Sequence, residues 1–349
     1  MDSARVACDA PRDLPIGIAG IGILSPRNET VDLNSRFHMA RDAGAFDYIE
    51  QTPAPGEVEN YQAASAHHGL PLRAGGFYYR VGRDDDLLLW HLRIGRDLGV
   101  LVHNVQIFTH HADGHLLSDH EIADCYLRAF DAGERGGISP CLEVHVNMWS
   151  ERFSRVVAVG ELVEGRGIPF NLTLDHSHVI FKMDNPREQA IQDLHLDLAT
   201  DRTILDPANP RCVIYEWIER NWIRHAHARA TVPANPLNIW ALHPDGSPGR
   251  GIQYPFIEPL PGEWHSPWDG SKLEPWKQVL RKLLEHHADD PKSPLGQVTM
   301  EFIPFPDYGG GARYSIFAHN VACATWVRET WAEIASRRHA APQLHRADL

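Results

Sequence analysis

The 349-residue sequence predicts an α/β protein whose strands and helices form a closed (β/α)8 TIM barrel. Short apolar runs rich in β-branched residues alternate with longer amphipathic segments, a pattern typical of parallel strands connected by helices. Eight such units favour a closed barrel over an open, doubly wound sheet. Because barrels of this type run past about 250 residues as one unit, we expect a single domain over 1–349 with a core of about 16–338.

The strand and helix candidates follow one another along the chain. The strand candidates are residues 16–23, 46–50, 72–80, 100–109, 141–146, 169–174, 222–228 and 297–302. The helix candidates are residues 33–43, 56–68, 85–98, 117–133, 151–164, 186–199, 209–220, 271–287 and 313–336. Ser118 and Glu121 have the spacing of a capping box, which indicates a helix start. The glycines within 16–23 lie inside a strand pattern and open no helix, so we predict tight packing there and no dinucleotide site.

One segment departs from the alternation of strands and helices. Residues 231–271, between the seventh strand candidate and its helix, are rich in Pro, Gly and Trp, and they include Trp240, Trp264 and Trp268. Loops that follow barrel strands lie on the face where barrel active sites are built. We therefore interpret this long loop as a lid or binding loop, with a purely structural insertion as the alternative.

Composition excludes several classes of protein. Lys and Arg number 33 against 46 Asp and Glu, which gives a formal net charge of -13 and argues against nucleic acid as a partner. No segment approaches the roughly 20 apolar residues of a membrane span, and the first residues do not resemble a signal peptide. The five cysteines are widely spaced and form no C-x-x-C pair, so we expect a reduced, cytoplasmic protein.

Four consecutive strand candidates carry side chains of the metal-ligand type. Glu143 lies on the fifth candidate, Asp175 directly follows the sixth, the seventh carries His225 and His227, and Glu301 lies on the eighth. A carboxylate within an apolar strand is costly to bury without a partner, and a shared cation is one such partner. Three carboxylates and an imidazole form a donor set made mostly of oxygen atoms. Such a set suits Mn²⁺, Mg²⁺ or Co²⁺ better than it suits the zinc ion of a structural site.

This arrangement resembles the xylose-isomerase-like barrels. The shared features are Glu on strand five, Asp-x-x-His at strand six, His-x-His on strand seven and Glu on strand eight. The superfamily includes sugar isomerases, ketose 3-epimerases, inosose dehydratases, C-glycoside-cleaving enzymes and type IV apurinic endonucleases. The resemblance implies one divalent metal, Mn²⁺ foremost with Mg²⁺, Co²⁺ or Zn²⁺ as alternatives, and no organic cofactor. Its implied ligands are Glu143, Asp175, His227 and Glu301.

The resemblance also implies catalytic and substrate-binding roles. In the epimerase branch the two glutamates, here Glu143 and Glu301, act as acid and base on opposite faces of an enediolate. Ketose epimerases have an arginine about six residues after the strand-seven histidine, but Pro233 occupies that position and the nearest arginine is Arg229. The predicted contacts to a carbohydrate or glycoside are His178, His110, Arg229 and His225.

Two outcomes of the chemistry stay open. The first is isomerisation or epimerisation of a carbohydrate by removal of a proton next to a carbonyl. The second is a lyase reaction, either cleavage of a 3-keto C-glycoside or dehydration of a keto-polyol, with His145 as a separate base two residues after Glu143. An apurinic endonuclease conflicts with the negative charge, and a barrel that only binds its ligand is a further alternative. We expect a homo-oligomer, with a small partner subunit as another option.

Overall fold

Eight parallel strands form a closed barrel in this computed structural model, which describes residues 12–200 and 203–340. The barrel strands are β1 (Ile16–Ala19), β2 (Tyr48–Glu50), β3 (Leu72–Tyr79), β4 (Val102–Ile107), β5 (Ser139–Glu143), β6 (Leu172–Asp175), β7 (Ile223–Ala228) and β10 (Gln297–Met300). Between the last two, β8 (Asn238–Leu242) and β9 (Pro248–Gly249) form a separate antiparallel hairpin. Around the barrel the strands follow the order β1, β10, β7, β6, β5, β4, β3, β2, which confirms the predicted fold class.

Helices connect the strands and cover the outside of the barrel. They are α1 (Leu33–Asp42), α2 (Val58–His68), α3 (Asp85–Leu98), α4 (Asp119–Glu134), α5 (Ser154–Glu164), α6 (Ser177–Ile180), α7 (Pro186–Gln189), α8 (Leu194–Ala199), α9 (Val213–Glu219), α10 (Glu274–Asp289) and α11 (Ile316–Ala340). The predicted capping box at Ser118 and Glu121 is present at the start of α4. No helix of the described ranges is both long and apolar enough to cross a bilayer.

Packing inside the barrel explains the glycines of the first strand. A Cβ atom on Gly17 would lie 2.2 Å from the ring of Tyr48, which is fully buried on the neighbouring strand β2. The strand itself ends at Ala19, where residues Gly20–Gly22 form a 3₁₀ turn, so the predicted strand 16–23 is four residues too long. The tight packing predicted for these glycines is therefore present.

Two other predicted elements need correction. The strand predicted over 141–146 ends at Glu143, so His145 lies in the following loop and not on that strand. The helix predicted over 186–199 is broken into α7 and α8, because Gln192 and Asp193 have left-handed backbone angles, with φ of 52° and 57°. Gln192 is held there by its side-chain amide, which donates to the carbonyl of Met148 at 3.2 Å.

Candidate active site

The four predicted ligands converge at the carboxyl-terminal end of the barrel. Glu143 and Asp175 are the last residues of β5 and β6, His227 lies on β7 beside Asp175, and Glu301 directly follows β10. One ligand atom from each of the four lies within 4.8 Å of the others. The first three side chains are buried, whereas the Glu301 side chain is 14% exposed. Closed parallel strands bring these residues together although they are far apart in the sequence.

His227 is surrounded by carboxylates. Its Nδ1 lies 3.2 Å from Glu143 Oε1 and 3.0 Å from Glu301 Oε2, and its Nε2 lies 3.1 Å from both oxygens of Glu50. Burial lowers the pKa of His227, but the charges of Glu301, Glu50 and Glu143 outweigh it and raise that pKa well above its ordinary value. Glu50, the last residue of β2, was missed in the sequence. The signal was present, since the second strand candidate also ends in a carboxylate.

Two side-chain amides fix the orientation of Glu143. Asn104 Nδ2 and Gln106 Nε2, two positions apart on β4, donate to Glu143 Oε2 at 2.5 and 2.6 Å. Burial raises the pKa of Glu143, but the charges of His145 and His227 have the larger effect in the opposite direction. Together they lower this pKa to about 2. The two amides were also missed, and their sequence signal is a pair of polar residues at alternate positions of an apolar strand. Glu143 is therefore held as a carboxylate.

Asp175 is held by the turn that follows β6. Its Oδ1 accepts from the backbone N–H of Ser177 at 3.0 Å and from the Ser177 hydroxyl at 2.6 Å. Its Oδ2 lies 3.1 Å from Nε2 of His178, which the Asp-x-x-His spacing places on the short helix α6. Burial raises the pKa of Asp175, whereas the charges of Arg229 and His178 lower it well below the ordinary value.

Arg229 joins two of the predicted ligands. Its Nη1 lies 2.7 Å from Asp175 Oδ2, its Nη2 donates to Glu301 Oε2, and its Nε donates to the Glu301 carbonyl at 2.8 Å. The guanidinium is buried, and it lies 4.3 Å from the centre of the Tyr308 ring. Burial raises the pKa of Glu301 more than the charges of Arg229 and His227 lower it. Arg229 thus contacts the carboxylates of the site.

The donor set fits a divalent cation. Ligand atoms about 2.1 Å from an ion in octahedral geometry lie about 3.0 Å apart as neighbours and about 4.2 Å apart across it, and the four ligand atoms here all lie within 4.8 Å of one another. Four buried or nearly buried carboxylates, those of Glu50, Glu143, Asp175 and Glu301, contact the Arg229 guanidinium or the His227 imidazole, so the acidic groups outnumber these two basic groups. Oxygen-rich donors suit hard ions. Glu143, Asp175, His227 and Glu301 would hold the metal.

A cavity of about 510 Å³ opens above these residues. Its volume is in the range that holds a small ligand. Glu50, His227 and Glu301 line it, and its Phe and Tyr side chains are Phe77, Tyr78, Phe108, Phe305 and Tyr308. Among the described residues no member of 231–271 lines it, so the structure does not place the predicted lid or binding loop in the cavity wall. The loop after β10, at residues 303–308, lines the cavity in its place.

His145 lines the cavity although it lies beyond the end of β5. Its Nδ1 is 2.5 Å from the Val146 carbonyl, an acceptor, so Nδ1 carries the proton and donates. Its Nε2 lies 3.2 Å from the Tyr308 hydroxyl, and its ring centre is 4.3 Å from that of His178. In the neutral ring Nε2 is then an acceptor that faces the cavity.

None of the four predicted substrate contacts lines this cavity. His178 and Arg229 contact Asp175 instead, as described above. His225 lies deeper in the barrel, where its Nε2 is 2.8 Å from Thr299 Oγ1 and burial lowers its pKa to about 4.

His110, the fourth predicted contact, follows β4 and lines a neighbouring cavity. The structure therefore places all four predicted contacts outside the wall of the cavity above the predicted metal ligands, and His110 and His225 also lie away from that cavity in different directions: His110 beside the neighbouring cavity and His225 inside the barrel.

Comparisons with known proteins identify the fold. The sequence matches no protein-family model and no curated protein. Among solved structures, L-ribulose 3-epimerase gives a TM-score of 0.53 at 12% sequence identity, over 96% of this chain and 100% of the other. A xylose isomerase-like TIM barrel protein from Mycobacterium smegmatis, in complex with magnesium, also gives 0.53 at 12% identity, over 93% and 97%. This chain has the xylose-isomerase-like fold.

A third match is of another chemical type. The probable 3-DHS dehydratase AsbF of Bacillus anthracis, involved in petrobactin synthesis, gives a TM-score of 0.50 at 11% identity, over 89% of this chain and 99% of the other. The resemblance predicted from the four strand ends is confirmed as a likeness of fold. Enzymes that share the xylose-isomerase-like fold at this level of identity carry out different reactions, so the reaction must be argued from the site.

Proposed function

We propose that this protein is a divalent-metal-dependent enzyme that removes a proton next to the carbonyl of a carbohydrate and thereby isomerises or epimerises it. One observation carries the proposal: Glu143 and Glu301, from different strands, both contact Nδ1 of His227, with Asp175 completing the donor set. Two carboxylates close to one polarised substrate provide the acid and the base that such a reaction needs. Mn²⁺ is the ion that we expect.

The surroundings of each side chain indicate its role in the reaction. A divalent cation, when bound, supplies polarisation of the carbonyl and hydroxyl oxygens of the sugar. Asn104 and Gln106 hold Glu143 as an oriented carboxylate at the buried side of the site. Glu301 reaches the cavity, where Arg229 holds its orientation. We assign Glu301 to proton transfer at the exposed side of the substrate and Glu143 to the opposite side.

The test is hydrogen exchange at carbon. Candidate ketoses are incubated with the full chain and Mn²⁺ in D₂O, and ¹H NMR follows the signals next to the carbonyl. We expect solvent deuterium in an intact sugar, and we expect Glu143→Gln and Glu301→Gln to lower the rate by about 10²- to 10⁴-fold. Glu161→Gln, at a side chain that is 59% exposed on α5, is the matched control and keeps the wild-type rate. Failure of the metal-loaded protein to exchange any ketose would count against the proposal.

A second candidate function is elimination, and the position of His145 favours it. The Nε2 of His145 faces the cavity beside the Tyr308 hydroxyl, so one side chain can accept a proton while the other donates one to a leaving group. The expected products from a 3-keto glycoside or a keto-polyol are a free aglycone or water, both visible in the same NMR experiment. Full turnover in His145→Ala would exclude this role for His145.

A further inference from the structure

A second cavity, of about 650 Å³, lies beside the candidate site at the same end of the barrel. The two cavities share Phe108 and Asn147 in their walls. The second cavity is built by the loops after β3, β4, β5 and β6, and loops after barrel strands form the catalytic face. A ligand seated in one cavity therefore lies next to a ligand seated in the other.

Three arginines line this second cavity, and they differ in their partners. Arg155 has two short contacts, because its Nε and Nη2 donate at 2.6 Å to Asp119 Oδ1 and to the Leu117 carbonyl. Arg152 has a longer contact, 3.4 Å from its Nε to Asp197 Oδ2, and that oxygen already accepts from the Ser154 hydroxyl at 2.7 Å.

The Arg80 guanidinium forms no ion pair within 4.0 Å among residues 12–200 and 203–340, although the backbone N–H of Arg80 donates to Asp84 Oδ2 at 2.7 Å. Arg80 Nη1 donates to the His110 carbonyl at 3.1 Å, and the guanidinium lies 4.8 Å from the centre of the Phe108 ring. Stacking on an aromatic ring fixes the guanidinium plane and leaves its remaining donors unused. Arg80 and Arg152, which have fewer or longer contacts than Arg155, thus line a cavity in a chain whose formal net charge is -13.

We propose that this second cavity binds an anionic group of the substrate, a carboxylate or a phosphate, through Arg80 and Arg152. The proposal rests on the proposed function, because the reacting carbon would lie in the adjoining cavity above His227 and Glu301. Guanidinium groups recognise both anions by paired hydrogen bonds, which neutral sugars match poorly. The preferred substrate is then an acidic or phosphorylated carbohydrate and not a neutral monosaccharide.

The test compares sugars that differ only in charge, by isothermal titration calorimetry on the full chain saturated with Mn²⁺. D-Glucuronate supplies the carboxylate arm, D-glucose 6-phosphate the phosphate arm, and D-glucose the neutral reference. We expect at least one anionic sugar to bind at least tenfold more tightly than D-glucose. Arg80→Gln and Arg152→Gln should each remove most of that gain. Arg135→Gln, a control at an exposed side chain on the same protein, should not.

His227→Asn separates this site from the metal centre. The gain from the anionic group should persist in His227→Asn, because the arginines do not contact that histidine. Equal affinity for charged and neutral sugars would overturn the proposal, as would a gain that survives both arginine variants or one that disappears in His227→Asn. Binding needs no turnover, so this result is independent of the deuterium exchange that tests the proposed function.

Discussion

Arg229 holds two acidic side chains of the site by their charge. It bridges Asp175 and Glu301 while it is itself buried, so the carboxylates are neutralised in part without any ion. A divalent cation at the same side chains would supply further positive charge. The guanidinium and the cation are therefore expected to stabilise the same buried carboxylates.

Removal of the Arg229 charge should destabilise the protein. Breaking a buried ion pair at one partner typically costs about 3–5 kcal/mol, because the remaining charge stays buried and unpaired. We expect Arg229→Met to lower the unfolding free energy by about that amount in metal-free protein, and Mn²⁺ to restore a large part of it. Urea unfolding with and without Mn²⁺ measures both values.

The control for this experiment is Arg135→Met, at a side chain that is 71% exposed. It should change stability by less than about 1 kcal/mol in either condition. An equal loss of stability in Arg229→Met with and without Mn²⁺ would mean that the cation does not act on these carboxylates.

The residues of the site differ in how well the sequence predicts them. Glu143, Asp175, His227 and Glu301 stand out because a ligand-type side chain ends each of four successive strand candidates. Glu50 also ends a strand candidate but lies outside this run of four, and the amides of β4 lie inside their strand. Glu50 lies 177 positions from His227, and no local pattern reports such a distance.

The long loop after β7 is fixed to its neighbours by a buried network of charges. Arg250 Nη2 lies 2.6 Å from Glu151 Oε1 and 2.5 Å from Glu188 Oε2. Lys182 Nζ lies 2.9 Å from the same Glu151 oxygen. Arg250 Nη1 also donates to Asn147 Oδ1 at 3.0 Å, and Asn147 lines the candidate active site. The loop therefore supports the walls of the site from outside.

At the level of elements, we predict that Arg250→Met loosens this loop. The carboxylates of Glu151 and Glu188 lose a buried partner, and the expected loss of unfolding free energy is about 3–5 kcal/mol. Proteolytic cleavage within residues 231–271 should become faster at the same time, as the loop detaches from the β5 and β6 loops. Mass spectrometry of timed digests measures the rate, with Arg135→Met as the control. Unchanged cleavage in Arg250→Met would show that other contacts hold the loop.

The sequence predicts the elements of the barrel better than the function of its loops. Strand centres follow from apolar runs, whereas strand ends depend on neighbouring strands, which is why His145 lies outside β5. The tryptophans of 231–271 resemble a binding surface in composition. In the structure Trp240 and Trp264 pack edge to face at 6.1 Å, and Trp264 also packs against Tyr254 at 5.7 Å. Composition does not tell whether an aromatic side chain faces a ligand or another ring.

The whole molecule contains several histidines that are buried without charge. Tyr79 Oη lies 2.7 Å from His91 Nδ1 and 2.6 Å from His103 Nε2. Burial lowers the pKa of His91 to about 4 and that of His103 to about 3. Burial also lowers the pKa to about 4 for further histidines of the core, namely His176, His287 and His319.

These shifts predict acid sensitivity of the fold. Below about pH 6.5 the unfolded chain binds protons that the folded chain excludes until about pH 4, so stability falls as the pH falls through that window. Each such histidine contributes up to about 1.4 kcal/mol per pH unit. The urea midpoint of the metal-free protein should be clearly lower at pH 5 than at pH 7. In His103→Gln the difference between the two midpoints should be smaller. A midpoint that is independent of pH would contradict this account.

The most direct test of the whole account is a manganese titration of the metal-free chain, followed by electron paramagnetic resonance of unbound Mn²⁺. We predict one tight site per chain, weakened by at least about 100-fold in His227→Asn and in Asp175→Asn. His115→Ala should bind as the wild type does, although His111, Asp113 and His115 form another group that could hold an ion. Absence of tight binding, or equal binding in His227→Asn and Asp175→Asn, would contradict the central claim that the four strand ends form one metal centre.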